Sequence, residues 1–550
     1  MRATARVLSA ALCLLGAATW AALPDDAPRA SDDAAAERPP ARAPAADGLA
    51  TPDAPVANAT PADAAVEPAP ALTPRDLKLD SPGLPEPGHA TFENRPVRTD
   101  YLIPALESEA LHLGFLAFSN LVTRQSFALV SFDSIKSHFD GRRPWTFDVD
   151  YFITNQFGHP YQGALAFTAA RSAGVPFWLA CLYPLLASMT WELFYEVDAP
   201  SVNDQITTTF GGIFLGEVLH RAALLVLTDT AGRAPSWGRK VGAFLLSPMG
   251  TVNRWMSNDE LWAGDVDDHP PYFAQLAAGA NLGAALRDPV TRRPYMTANA
   301  QLNLQGRLTY GIPGDPDFRY RHPFSHFDLD FNLSLGGGEG ASSGSYFSRG
   351  LLLGTHFGNV RTAVRGLWGL FGQYDYSGAS LVRVSTVGVG IGASLQARLS
   401  ENNFLQATGL FGGVPFATAG SLGLDEELYR DYHIGPGAQA ALELRLINRN
   451  VGWLRIVARN WFVVGAYTPP SGWESITYLT IGPMVRLLGP VGLGADVVLA
   501  LRRSEFQDHT FDRSVTGYTA RVTLAWLSDW NFGVVDPAPG PLAVPSRDHR

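Results

Sequence analysis

His159, Glu192, Glu196, Asp204, Glu217 and His220 punctuate a stretch that is otherwise largely aromatic and aliphatic. Carboxylates and imidazoles gathered out of water act as general acids and bases, and the same donors hold divalent cations. Such a set would suit an envelope hydrolase or a lipid-modifying enzyme. No HExxH, GxSxG or other spacing of known mechanism accompanies it, so residue type alone carries the idea. The competing reading is structural. Glu217 and Arg221 stand four apart in the favourable order for a simple surface pair, whereas Glu192 and Glu196, also four apart, repel on one helical face. His159, Arg171, His220 or Arg221 would relieve that repulsion. On this reading, the favoured one, the carboxylates are struts of a buried ion-pair network.

Helices must position these groups. Pro160 suits a first helical turn and Gly174 a C-terminal stop, which predicts a helix over 160–173. Pro176 opens another that reaches Glu196, with a kink at Pro184. Its apolar run from Phe177 to Trp191 is short for a membrane span and fits a buried or interfacial helix. Ser201 followed by Asp204, with Asn203 between, looks like a capping box in which the carboxylate answers back. Gly211, Gly212 and Gly216 each cost about 1 kcal/mol relative to alanine in a helix. Their presence implies a second backbone packed close. Asp148 and Asp150 alternate with Phe147, Val149 and Tyr151 and read as an extended edge.

The C-terminal half follows a period of two. In 295–310, Met296, Ala298, Ala300, Leu302, Leu304 and Leu308 face one way, and Thr297, Asn299, Gln301, Asn303, Gln305 and Arg307 the other. Phe327 to Ser334, Leu442 to Leu446 and Gly517 to Trp526 repeat the pattern. Each is a strand with one apolar and one polar face. The strands are long, Arg455 and Arg459 fall on polar faces, and Trp453, Trp461, Trp473, Trp526 and Trp530 lie near strand ends. These are marks of an outer-membrane barrel with aromatic girdles; a secreted β-sandwich is the alternative. The expected fold is α+β: a helical domain over 96–265, then an antiparallel transmembrane barrel of about 12 strands over 266–532.

The address agrees. MRATARVLSAALCLLGAATW reads as a secretory signal over 1–21. Residues 22–95 form an Ala/Pro-rich stretch with the composition of a disordered tether, and 533–550 a Pro-rich tail. After signal removal only Cys181 remains, which rules out an intramolecular disulfide or a cysteine metal cluster. A formal net charge of -10 with no basic block argues against a nucleic-acid partner. An even strand number returns both barrel ends to the periplasm, so the helical domain is expected there.

HPYQGALAFTAARSAG, WELFYE, PSVNDQITTTFGGIFLGEVLHR and SPMGTVNR resemble the bacterial domain-of-unknown-function family 3943 over about 145–255. The resemblance implies an envelope protein and supplies no activity. A fainter one is to VanZ-like membrane proteins. Asp204 and Gly211 fit that pattern, but Thr208 stands where it has asparagine, and no catalytic role carries over. The function expected is a helical domain gating or lining the periplasmic side of a small-solute or lipid-handling barrel. The alternatives are the hydrolase or lipid-modifying enzyme, and a structural adaptor for a periplasmic protein partner. Outer-membrane lipid is the expected surroundings, no cofactor is expected, and a divalent cation is the one metal the cluster would suit.

Overall fold

The structure is a computed structural model that describes residues 99–535, apart from 229–234, 257–269, 284–299, 316–317, 337–341, 360–361, 421–430, 508, 510–511 and 530. The signal, the tether, most of the Pro-rich tail, Met296, Thr297, Ala298, Asn299 and Trp530 lie outside the described residues.

Twelve antiparallel strands close into a barrel, each paired with its sequence neighbours and β1 (Tyr272–Gly283) with β12 (Arg513–Leu527). Between them run β2 (Ala300–Tyr310), β3 (Phe327–Leu335), β4 (Ser343–Phe357), β5 (Val364–Ser377) and β6 (Val384–Arg398). Then follow β7 (Asn403–Ala419), β8 (His433–Asn448), β9 (Gly452–Gly465), β10 (Gly472–Leu488) and β11 (Val491–Phe506). Gly489 and Pro490 alone join β10 to β11 at the end where β1 starts and β12 finishes, here called the turn end. The opposite end is the loop end.

Bonds between strands that are not neighbours identify the inside. Arg455 donates to Asp330 at 2.8 Å, Trp461 to Asp375 at 2.9 Å, and Thr386 to Gln439 at 2.6 Å, each across the interior. The two-residue period then turns Trp368, Ile391 and Phe411 outward as bare apolar side chains. Two tryptophans expected in a girdle are inside instead. Trp461 stacks on Phe347 in the lumen, and Trp453 packs against Phe532 at the turn end. Both fall on the inward phase of β9, which strand-end position alone does not reveal.

The lumen is filled. Asp330 binds Arg307 at 3.1 Å, Arg455 at 2.8 Å and Arg459 at 2.9 Å, and Arg455 also holds Glu443 at 2.7 Å. At the turn end Gln406 donates to the Gly533 carbonyl oxygen and Arg445 to that of Phe532, which seats the start of the tail in the mouth. Near the loop end Leu381 and Val382 pack with Trp461, Ile476 and Val515.

The helical region has four main passes. They are α1 (Leu102–Phe118); α3 (His159–Ser172); α4 (Phe177–Ala180) with α5 (Leu182–Thr190); and α6 (Val202–Ile206) with α7 (Gly212–Leu227). Short α2 (Phe132–Phe139) follows α1, and α8 (Trp237–Leu246) and α9 (Pro248–Met256) follow α7. The helix predicted over 160–173 is present one residue earlier. The kink expected at Pro184 falls at Cys181, because the ring of a proline clashes with the carbonyl four residues before it, here that of Ala180. Residues 147–151 form no strand; only Thr146 bridges to Ser201.

The passes lie on the outer wall of the barrel. Tyr310, Phe327, Tyr346, Tyr374 and Tyr376 are on the outward phase of β2 to β5, yet all are buried in one core with Phe152, Phe167, Phe177 and Phe214. Tyr374 donates to the Gln156 carbonyl oxygen at 2.5 Å, and Tyr432 to that of Asp150 at 2.8 Å. A Cβ on Gly372 would sit 2.6 Å from the Phe214 ring. The expected domain gating or lining the periplasmic mouth has no counterpart in these contacts. They are made on the opposite face of the wall.

Candidate functional site

The six candidate residues do not converge; they divide between two clusters. The first ties α3 to α7, which run side by side because glycine removes the side chains between them. A Cβ on Gly212 would fall 2.6 Å from the backbone of Gly163, the close approach that the glycine run predicts. Two turns on, Arg171 donates through Nε to Glu217 Oε2 at 2.7 Å and through Nη1 to the Val175 carbonyl oxygen at 2.8 Å. Arg221 donates through Nε to Glu217 Oε1 at 2.7 Å, and its Nη2 reaches the Pro323 carbonyl oxygen at 2.8 Å. Its Nη1 also donates to the Tyr310 hydroxyl.

All three side chains are fully buried, so the expected surface pair is a buried triad that also fastens the helices to the barrel. One carboxylate between two guanidiniums keeps its charge paired in a dry setting. His220 lies beside it and lines a cavity of about 30 Å³ with Ser172, Ser247 and Thr251, room for about one water.

The second cluster sits near the loop end. Asn203 donates through Nδ2 to Asp148 Oδ1 and to Asp204 Oδ1, each at 2.9 Å. Asn155 donates to the same Asp148 oxygen at 2.5 Å and to the Tyr432 hydroxyl. His159 Nε2 stands 3.4 Å from Asp204 Oδ2. Burial opposes the charge on Asp148, but hydrogen bonds from Asp204 and Asn203 and the nearby His159 hold its carboxyl below the usual carboxylate range. A hydrogen bond between two carboxyls requires one shared proton.

Asp148 is a residue that sequence reading missed. DVDY reads as strand alternation, and nothing local points to partners at Asn155 and Asn203.

The predicted cap is half present. Ser201 Oγ accepts from the Asp204 amide at 3.2 Å, but the carboxylate that answers the Ser201 amide, at 2.7 Å, is Glu192. That bond comes from the preceding pass and stitches α5 to α6. Glu196 accepts from Trp191 Nε1 at 3.0 Å. Neither Arg171 nor Arg221 relieves the two glutamates, since both are committed to Glu217. Burial and the neighbouring Glu192 push the Glu196 carboxyl well above its ordinary range instead.

Among the described residues no three His, Cys, Asp or Glu side chains are placed to hold a metal ion. Proton sharing among Asp148, Asp204 and His159 is the chemistry this geometry allows.

The comparisons with solved structures return outer-membrane barrels at low similarity. The outer-membrane channel DcaP of Acinetobacter baumannii is 8% identical over 46% of this chain and 97% of its own, with a TM-score of 0.20. The Pseudomonas putida toluene transporter TodX is 10% identical over 48% and 90%, TM-score 0.17. The Escherichia coli outer-membrane protease OmpT is 7% identical over 46% and 96%, TM-score 0.17. None of these carries an argument about what this chain does. No curated protein matches it. Residues 144–249, which hold all six candidate residues and Asp148, match the family model DUF3943, a domain of unknown function.

Proposed function

We propose that this is a lipid-handling outer-membrane protein whose helical domain is the working part and whose barrel is a filled anchor. The observation that supports the filled barrel is the lattice of Arg307, Asp330, Glu443, Arg455 and Arg459 across the lumen. A solute path needs a continuous wet lumen, and this interior is cross-linked by ion pairs between two occupied mouths. Gating from the periplasmic side would need the helices to touch lumen-facing side chains, whereas they touch Tyr310, Tyr374 and Tyr376 on the outer face.

In planar bilayers the purified protein is expected to pass no steady current, and removal of residues 99–256 to open none. In vesicles of outer-membrane phospholipid, the whole protein is expected to change lipid composition or leaflet distribution with time. Regular channel steps from either form would overturn this reading, as would lipid unchanged in both respects.

A second reading, acid–base catalysis at Asp148, Asp204 and His159, is favoured by one observation. Asn155 Oδ1 and both polar atoms of the Gln156 side chain are buried without a hydrogen-bond partner, and such groups ordinarily find one. Here Asp148 and Asp204 pass the shared proton while His159 orients Asp204. Asp148→Asn would then abolish lipid turnover without changing heat-modifiable gel migration. Unchanged turnover would end the catalytic reading.

A further inference from the structure

Wall residues on a single strand face divide into bare and covered. On β5, Trp368 is 54% exposed whereas Tyr374, on the same outward phase, is 0% exposed beneath the helices. On β6 and β7, Ile391 and Phe411 are 71% and 68% exposed, while Val387 and Phe416 are buried in the helical core. The helices therefore continue a surface that elsewhere faces lipid.

Their direction and length fit the same slab. Asn155, just before α3, meets Tyr432 at the loop end, and Arg221 of α7 meets Tyr310 at the turn end. The passes thus run the height of the barrel. Val202–Leu227 is one helix of 26 residues and Phe177–Tyr195 one of 19, roughly 39 and 29 Å at 1.5 Å per residue. A hydrocarbon core of about 30 Å needs about 20 residues.

The polarity of the bundle is inverted relative to a water-soluble one. The exposed side of α1 carries Leu102, Leu106 and Leu113, and that of α4 and α5 carries Trp178, Leu186 and Met189. Of the two acidic groups of α1, Glu107 turns inward and accepts from Asn253 at 3.2 Å, and Glu109, at the edge of the exposed side, is tied back by Tyr195 at 2.7 Å. A helix facing water places its charges outside; one facing lipid keeps them within the bundle. Exposed charges gather beyond the passes, with Asp133, Asp140 and Arg142 at the loop end and Lys240 at the turn end.

We propose that the helical bundle crosses the outer membrane beside the barrel, with α1, α4 and α5 against lipid acyl chains and the loop end outside the cell. The orientation follows from the even strand number and the position of both barrel termini, which in such barrels are periplasmic. This replaces the periplasmic location expected from sequence and stands whether or not lipid handling holds. Such a crossing requires that the apolar helices not be retained in the inner membrane. Glu107 and Glu109 interrupt α1, Arg171 interrupts α3, and Glu217 and Arg221 interrupt α7, which weakens these three passes as stop signals before the bundle assembles.

The test is cysteine labelling of full-length protein in cells, in a background with Cys13→Ser and Cys181→Ser, using a membrane-impermeant maleimide. Heat-modifiable migration first confirms that each variant is folded. Arg142→Cys is expected to label in intact cells, and Lys240→Cys only after the outer membrane is permeabilised. Leu186→Cys and Leu113→Cys are expected to resist the reagent in both conditions and to label once the protein is unfolded in detergent. Labelling of Arg142→Cys only after permeabilisation would overturn the proposal. So would labelling of both leucine positions in folded protein. Disulfide-linked dimers through Leu186→Cys would also overturn it, because a second copy would then cover the face assigned to lipid.

Discussion

Tyr374 donates its hydroxyl to the backbone carbonyl oxygen of Gln156 at 2.5 Å, and this bond joins the outer wall of β5 to the turn that opens α3. A buried carbonyl left without its donor costs about 1–3 kcal/mol. Tyr374→Phe is therefore expected to loosen the helical domain by about that much without altering the barrel. Limited proteolysis should show faster cleavage in 99–256, with unchanged heat-modifiable migration. Gly372→Leu should do more, because its Cβ alone would meet the Phe214 ring at 2.6 Å.

Glu217 answers two arginines at once. Glu217→Gln leaves Arg171 and Arg221 buried with a neutral partner, and breaking a buried pair in this way costs about 3–5 kcal/mol. Loss of helical signal at a lower temperature, measured by far-UV circular dichroism, is the expected result. Arg221→Lys should also be destabilising, since one ammonium cannot span Glu217, Tyr310 and Pro323.

Glu192 closes the start of α6 from another pass. Glu192→Ala strands the Ser201 amide and is expected to cost about 1–3 kcal/mol. Glu192→Gln keeps an accepting oxygen and should cost less. Equal losses for the two would contradict the bond as described.

Glu196 makes stability depend on pH. Its carboxyl is held well above the ordinary 4.5 by burial and by Glu192, with Asp150, Asp198 and Asp148 adding to the effect. A raised carboxyl pKa means the folded state holds a proton that the unfolded chain releases. Its contribution is complete below the unfolded pKa and is lost as pH rises through the folded value. The helical domain should thus melt at progressively lower temperature from about pH 5 upward. Glu196→Gln should flatten that slope; a slope unchanged in the variant would place the titration elsewhere.

The barrel was legible because a two-residue period is written along several strands, from Leu302 and Leu304 to Leu442 and Leu444. Which wall the helices cover was not. Tyr310, Phe327, Tyr374 and Tyr376 occupy the outward phase whether lipid or a helix lies against them, so both arrangements share one pattern. Helix positions followed from Pro160, Gly174 and Ser201, and the close approach from Gly212. Glu217 and Arg221 were legible as a pair; their burial was not, because Arg171 and Tyr310 are supplied by distant segments. Asp148 and the substitution of Glu192 for Asp204 at the cap likewise depend on contacts that no local spacing encodes.

The central claim is that the helices rest on the outer face of the barrel, and a short thiol-to-thiol crosslinker tests it most directly. In the cysteine-free background, Phe214→Cys is paired with Gly372→Cys on the outward face, or with Gln373→Cys on the inward one. A protease site placed within 257–269 separates helical and barrel fragments after reaction. The account predicts that Phe214→Cys with Gly372→Cys keeps the two fragments joined, and that Phe214→Cys with Gln373→Cys does not. Joining through Gln373→Cys alone would put the helices in the lumen and contradict it.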